Sequence, residues 1–200
     1  TLTMTGTTVP SWLTFDATTG ILAGTPLNAN VGANNVVITI NDGTVDVTDT
    51  FTITVANTND APTFTSTAVT AVDEDAAYSY TAAASDDDGD TVTLVGTTIP
   101  AWMTFDATTG ALTGTPTNAE VGSHTVVITA TDTNSASTAQ TFTVVVANTN
   151  DAPVVTSTAV TAVDEDAAYS YTVTATDVDV GDTLTMTGTT VPSWLTFDAT

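Results

Sequence analysis

The sequence predicts an all-β protein built from tandem, seven-stranded Greek-key β-sandwiches stacked end to end. Three observations carry that expectation. The chain repeats itself with a period near 91 residues, its apolar residues alternate with a period of two, and Gly, Pro, Asn and Asp punctuate the alternating stretches.

The repeat sets the frame. Residues 55–81 and 146–172 agree at 25 of 27 positions, and residues 1–18 are identical to 183–200. Pro10, Pro100 and Pro192 each introduce a Ser/Ala-Trp-Leu/Met-Thr-Phe-Asp segment, at spacings of 90 and 92. The expected units are the C-terminal part of one repeat (1–60), a complete repeat (61–151) and the N-terminal part of the next (152–200). With ends inside repeats and no initial Met, the chain reads as a piece of something longer. One residue is added between Asp132 and Phe142 relative to Asp42–Phe51, and one in Asp177–Asp182 relative to Asp86–Asp90. Length differences belong in loops, so both stretches are expected to be loops.

Within the complete repeat, strand A is expected near 63–70. Strand B covers 76–84, where Tyr78, Tyr80 and Ala82 share one face, followed by C (91–95), D (102–105) and E (110–113). In F (123–131), Val126, Ile128 and Ala130 alternate with Val127, Thr129 and Thr131. In G (139–147), Phe142, Val144 and Val146 alternate with Thr141, Thr143 and Val145. Thr and Val suit a half-buried pleated surface, and no helical periodicity competes. Phe105–Gly110 reads as an Asp-initiated turn with Gly supplying the positive φ. Trp12, Trp102 and Trp194 are expected in the cores, with Tyr78 and Tyr80 packing beside them. His124 is expected at the surface or a strand edge, because Asn34 stands at its position in the preceding repeat. An odd number of antiparallel strands puts the ends of a repeat at opposite poles, so tandem copies would form a rod.

The charge is one-sided. Twenty Asp and 3 Glu face no Lys or Arg, giving a formal net charge of −23. Such a chain cannot neutralise phosphates, which argues against nucleic acid and anionic membrane surfaces as partners. Without Cys or Lys there are no disulfides, no isopeptide cross-links, no thiol nucleophile and no Schiff-base chemistry. No apolar run approaches 18 residues, so no membrane span is expected in this segment. A divalent cation from solution is the natural counter-charge.

Strand alternation assigns the acids to poles. The linker Asn57–Asp60, the B–C loop Asp86–Asp90 and the F–G loop from Asp132 share the N-terminal pole. The A–B turn Asp73–Asp75, the E–F loop with Asn118 and Glu120, and the linker Asn148–Asp151 share the other. Where repeats meet, Glu74, Asn150, Asp151, Asp177, Asp179 and Asp182 should converge, and Asp90 occupies the Asp182 position of the preceding loop. Several carboxylates in a partly desolvated space need a cation, and oxygen-only ligands suit Ca²⁺ at six to eight coordination. Zinc would call for His or Cys.

At this point the motifs resemble a known family. Asp177-x-Asp-x-Gly-Asp182, Asn148-Thr-Asn-Asp-Ala-Pro153, Asp73-Glu74-Asp75 and Ala130-Thr-Asp132 are similar to the calcium motifs of cadherins. The segment Pro10-x-Trp-Leu-Thr-Phe-Asp-x-x-Thr-Gly-x-Leu-x-Gly-Thr-Pro26 resembles dystroglycan-type cadherin-like, or "putative Ig", repeats of large bacterial surface adhesins. The resemblance implies that Asp86 and Asp88, with Asp177 and Asp179 in the next unit, are paired ligands after strand B. It likewise implies Asp132 and Asp42 at the end of strand F, and Glu74 and Glu165 in the A–B turn. Asn59-Asp60 and Asn150-Asp151 become the linker pairs, each Asn offering its carbonyl. The chain departs from the cadherin pattern before strand F, where Thr117-Asn-Ala-Glu120 or Leu27-Asn-Ala-Asn30 stands, and at Asn57, where cadherins usually carry Asp.

The functional expectation is structural: a segment of an extracellular, cell-surface array, stiffened by Ca²⁺ at each junction and serving as the stalk or filament of an adhesin-type protein. Its partners would be neighbouring repeats of the same chain, or identical copies in a fibre. The alternative is a module that binds glycans or a cell-surface ligand. An EF-hand is rejected because its twelfth position would be Gly188, after the strand-like Thr183–Thr187. Carboxylate pairs suited to a glycosidase lie in repeated convex loops without a cleft, so no enzyme is expected.

Overall fold

Alternating Thr/Val segments become strands, and the Asp, Asn and Gly residues between them become turns. A computed structural model describes residues 1–199; Thr200, the end of the third expected repeat, lies outside the described residues. Strands β1 (Thr3–Thr8), β2 (Leu13–Asp16), β3 (Ile21–Gly24), β4 (Gly32–Asn41) and β5 (Asp46–Val55) come first. The complete repeat contributes β6 (Thr63–Phe64), β7 (Ala71–Asp73), β8 (Tyr78–Thr81), β9 (Ala84–Ser85) and β10 (Thr93–Thr98). It continues with β11 (Met103–Asp106), β12 (Ala111–Gly114), β13 (Gly122–Thr131) and β14 (Ser137–Ala147). Strands β15 (Val154–Val155) and β16 (Ala175–Thr176) follow, and short 3₁₀ turns cover Asn28–Asn30 and Asn118–Glu120.

The architecture is all-β, with the paired sheets of a sandwich. In the complete repeat one sheet has the order β10-β13-β14-β7 and the other β11-β12-β8, with β6 paired to β9. Facing residues close the core: Leu112, Val126, Ile128, Ala130 and Val144 are fully buried, and Tyr78 and Tyr80 nearly so. Tyr80 lies opposite Leu112 in the β8–β12 ladder and meets the Phe142 ring edge-on at 5.5 Å. In the preceding repeat β1-β4-β5 form one sheet, with β5 at its edge, and β2 pairs with β3.

Two compact units divide the chain. The first comprises Thr1–Thr67, Ala82–Val95 and Ile128–Gln140, the second Ala68–Thr81, Gly96–Val127 and Thr141–Thr200. Each unit gathers the loops around one linker. The first holds 57–60 with loops 86–90 and 132–136; the second holds 148–151 with the 73–75 turn, the 118–120 turn and loop 177–182.

Strands A and B differ from expectation. Residues 63–70 do not form one strand. Only Thr63–Phe64 pairs with Ala84–Ser85, after which the chain changes sheets and Ala71–Asp73 runs parallel to Val145–Ala147. The Ser66 hydroxyl causes the break: it accepts the Ala83 N–H (2.9 Å), standing in for a backbone partner. The same contact splits expected strand B into β8 and β9. The loops of differing length are where the sequence placed them, residues 42–45 against 132–136.

The aromatic positions also need correction. Trp12 and Trp102 are half-buried, and Trp194 is 65% exposed. His124 is not a simple surface residue. It is half-buried in β13, packs edge-on against Trp102 at 5.7 Å, and sets Nε2 2.6 Å from the Glu120 carbonyl. In the preceding repeat the Trp12 indole N–H donates to Asn34 Oδ1 (3.1 Å), whereas the buried Trp102 N–H has no acceptor. An orphaned donor costs about 1–3 kcal/mol, against about 0.5–1.5 kcal/mol for the ring contact. His124→Asn should therefore stabilise the protein, by about 1 kcal/mol in urea unfolding; no gain would contradict this account of the Trp102 N–H.

Candidate metal centre

In the first unit, the B–C loop is shaped by its own carboxylates. Asp86 Oδ1 accepts the Asp88 N–H (2.8 Å), and Gly89 turns the chain at φ 79°. Asp88 Oδ2 then accepts the linker N–H of Asp60 (2.7 Å). Asp132 is 6% exposed; its Oδ1 accepts the Ala136 N–H (2.8 Å) and its Oδ2 the Asn59 amide (2.7 Å). Asn134 bridges Asn59 Oδ1 and Asp90 Oδ2, each at 2.6 Å, and Asn28 donates to Asp60 Oδ2 (2.7 Å). Asp86 Oδ2 and Asp88 Oδ1 are buried with no hydrogen-bond partner.

The second unit holds a tighter cluster. Glu74 is 3% exposed and Asp179 is 5% exposed. Glu74 Oε1 accepts the Thr149 N–H (2.6 Å), while Oε2 is buried without a partner. Asp179 Oδ2 accepts the Asp151 N–H (2.6 Å) and Oδ1 the Asn118 amide (2.9 Å). Carboxylate oxygens of Glu74, Asp151 and Asp179 all lie within 4.8 Å of one another, as do those of Asp177, Asp179 and Asp182. Asp179 belongs to both triads. Asn150 donates its amide to the Asp151 carbonyl (2.7 Å), leaving its own carbonyl as the group suited to ligation.

The donor set fits a hard cation. Two oxygens bound across one Ca²⁺ at about 2.4 Å lie at most about 4.8 Å apart, the limit both triads meet. One oxygen of Glu74 and one of Asp88 are fixed by linker N–H groups while the second is left bare. That is the arrangement of an oriented ligand.

Not every acid joins in. Asp42 lies in the β4–β5 turn, where its Oδ1 accepts the Thr44 and Val45 N–H groups (2.8 Å each). Those bonds hold its carboxyl below the usual range. Glu165 is exposed. Glu120 turns back on its own 3₁₀ turn, accepting from Thr117 N and Oγ1, and these bonds lower its pKa. The amides of Asn28, Asn118 and Asn134 were the least visible in sequence, because neutral residues add nothing to a charge pattern. Asn134 had one signal, since it sits in the five-residue loop that is longer than its four-residue counterpart.

Asp132 supplies a pH test. The Asn59 amide, ahead of the loop N–H groups, holds its pKa below 3.8. A depressed folded value means that this stabilisation is fully present above the unfolded pKa and is lost as pH falls through the folded one. An NMR titration should place the Asp132 midpoint below 3.8, and Asn59→Ala should move it upward; a midpoint unmoved by that change would contradict the bond's role.

Comparison with known proteins gives a consistent picture. The family described as "Putative Ig domain" matches residues 1–56, 61–147 and 152–200. A serine-rich adhesin for platelets from Staphylococcus aureus is 32% identical over 128 residues, covering 64% of this chain and 6% of the adhesin. The chain thus spans a small fraction of the length of this relative. Among solved structures, the protocadherin gamma B4 extracellular domain aligns with a TM-score of 0.52 at 20% identity, covering 90% of this chain and 34% of that one. Protocadherin gamma B7 cadherin domains 1–4 align at 0.51 and 19%, covering 90% and 51%. At these identities the likeness is one of fold.

Proposed function

Because the chain belongs to the family described as "Putative Ig domain", we propose that it is a structural segment of an extracellular repeat array, stiffened by Ca²⁺ between successive repeats into the stalk or filament of a bacterial cell-surface adhesin-type protein. The repeats are 1–60, 61–151 and 152–200. Glu74, Asn150, Asp151, Asp177, Asp179 and Asp182 hold the ions of one junction. Asn59, Asp60, Asp86, Asp88, Asp90 and Asp132 hold those of the other. Asp42 and Glu165 serve the junctions their repeats form with further ones. The chain acts by holding shape, not by catalysis.

The observation that carries this reading is Glu74 Oε2, buried, without a partner, on a carboxylate within 4.8 Å of Asp151 and Asp179 oxygens. A chain with no Lys or Arg has no side chain to neutralise it. Calcium supplies that charge, and the linker N–H groups of Thr149 and Asp151 tie its ligands to the next repeat's entry. Affinities of extracellular modules fall at about 10⁻⁴–10⁻³ M. A calcium titration by calorimetry should show saturable binding in that range, with Mg²⁺ a poor competitor. Binding no stronger than to the urea-unfolded chain would sink the proposal. A second reading, direct adhesion to a glycan or cell surface, is favoured by the platelet adhesin named above.

A further inference from the structure

The complete repeat shows how its sheet edge is covered. Ala71–Asp73 adds in parallel to Val145–Ala147, with the Val145 N–H donating to the Thr70 carbonyl and the Glu74 N–H to the Ala147 carbonyl (2.9 Å each). The Asp75 N–H reaches the Pro116 carbonyl (2.8 Å). The corresponding edge of the preceding repeat, Thr54–Ala56 on and after β5, has no such strand; β5 ends its sheet. Beside it opens a cavity of about 510 Å³ lined by Pro26, Leu27, Val31, Val55 and Ala56. Pro116 and Val146 are buried in the complete repeat, whereas their equivalents Pro26 and Val55 are only half-buried. Phe51, equivalent to Phe142, is 38% exposed.

The missing strand is present elsewhere in the chain. Residues 160–172 are identical to 69–81, yet form no ladder among the described residues. They already hold the docked conformation. Asp166 has φ 63° where Asp75 has 59°, and the Tyr169 hydroxyl donates to the Val160 carbonyl at 2.8 Å, as Tyr78 does to Val69. Tyr169 also packs edge-on to Trp194 at 6.0 Å, as Tyr78 does to Trp102. Val160 and Val163 are exposed, at 46% and 42%.

We propose that Ala162–Asp164 of one copy adds as a parallel strand to Thr54–Ala56 of a second, joining copies head to tail. The register follows from the complete repeat: Ala162 opposite Thr54, Val163 opposite Val55, Asp164 opposite Ala56. Tyr171 then meets Phe51 as Tyr80 meets Phe142. The donor's 183–200 and the acceptor's 1–18 are the same sequence, so exchanging one for the other loses no contact type. Preformed donor and preformed socket keep the ordering cost of association low. Glu165 arrives at the Thr58 N–H, as Glu74 does at Thr149; on the calcium reading above, this completes the first unit's acid set.

Sedimentation of the whole 200-residue chain tests this, at physiological salt where charge repulsion is screened beyond about 8 Å. The weight-average mass should rise with concentration from 20.3 kDa to at least twice that. Val163→Pro removes the donor strand's N–H, and Thr54→Pro removes the N–H equivalent to that of Val145. Both positions lie on exposed edges, where Pro is tolerated, and melting curves check the fold of each variant. Each alone should stay monomeric, while an equimolar mixture of the two should form a dimer and go no further, since one intact socket meets one intact donor. A chain that stays at 20.3 kDa at every concentration overturns the proposal, as does a proline variant that assembles like its parent. Assembly that ignores calcium leaves the interface standing and removes the calcium reading. Calcium-dependent melting of a strictly monomeric chain does the reverse.

Discussion

Glu74→Gln should lower the melting temperature in calcium and raise it in a chelator. The amide keeps an oxygen for the Thr149 N–H, so the hydrogen bond at 2.6 Å survives. What changes is charge. Without metal, the buried Glu74 carboxylate has oxygens within 4.8 Å of those of Asp151 and Asp179. At an effective dielectric of about 20, a like-charge pair at about 4.8 Å repels by roughly 3.5 kcal/mol before solvent and salt screening. Removing that charge relieves the junction, by about 1 kcal/mol once screening is allowed for. With calcium bound, the same change removes a ligand charge and weakens binding. A purely structural glutamate would give one sign in both conditions. Paired melting curves of parent and variant, each in calcium and in a chelator, decide between the two.

Leu112→Ala should be the most damaging change in the core. Its side chain is fully buried, flanked in the ladder by Phe105 on β11 and Tyr80 on β8. Deleting it leaves a cavity between two sheets and costs about 2–5 kcal/mol. Leu22 occupies the same position in the preceding repeat, opposite Phe15, but β3 pairs only with β2 and the side chain is half-buried. Leu22→Ala should cost about half as much or less, because solvent already reaches the site and the vacated space is hydrated. Urea unfolding of the two variants measures the difference. Equal losses would mean that the strand covering Leu112 contributes nothing to its burial energy.

The contrast between these leucines shows where sequence reasoning stops. Strands F and G were legible because Val126, Ile128 and Val144 announce a buried face with period two, and the observed bounds, Gly122–Thr131 and Ser137–Ala147, lie within two residues of expectation. Strand A was not. Alternation tells which face of a strand is buried but not which sheet it joins, and the change of sheet between Phe64 and Ala71 depends on Ser66 meeting Ala83, 17 residues away. The acidic loops were legible as loops, and Glu74, Asp151 and Asp179 do come together. Charge alone could not separate Glu74 from Glu120, whose carboxylate is held by the backbone and hydroxyl of Thr117 in its own turn. Nor could it reveal Asn134, a neutral side chain that ties Asn59 to Asp90.

Calcium dependence of stability tests the central claim most directly. Differential scanning calorimetry of the chain in 10 mM calcium and then in excess chelator compares bound and free states of the same molecule. For a site with a dissociation constant of about 10⁻⁴–10⁻³ M, that concentration stabilises the fold by about 1.4–2.7 kcal/mol. A chain of this length should then melt several degrees lower after chelation, and recover when calcium is restored. An unchanged melting temperature across that cycle would contradict the account.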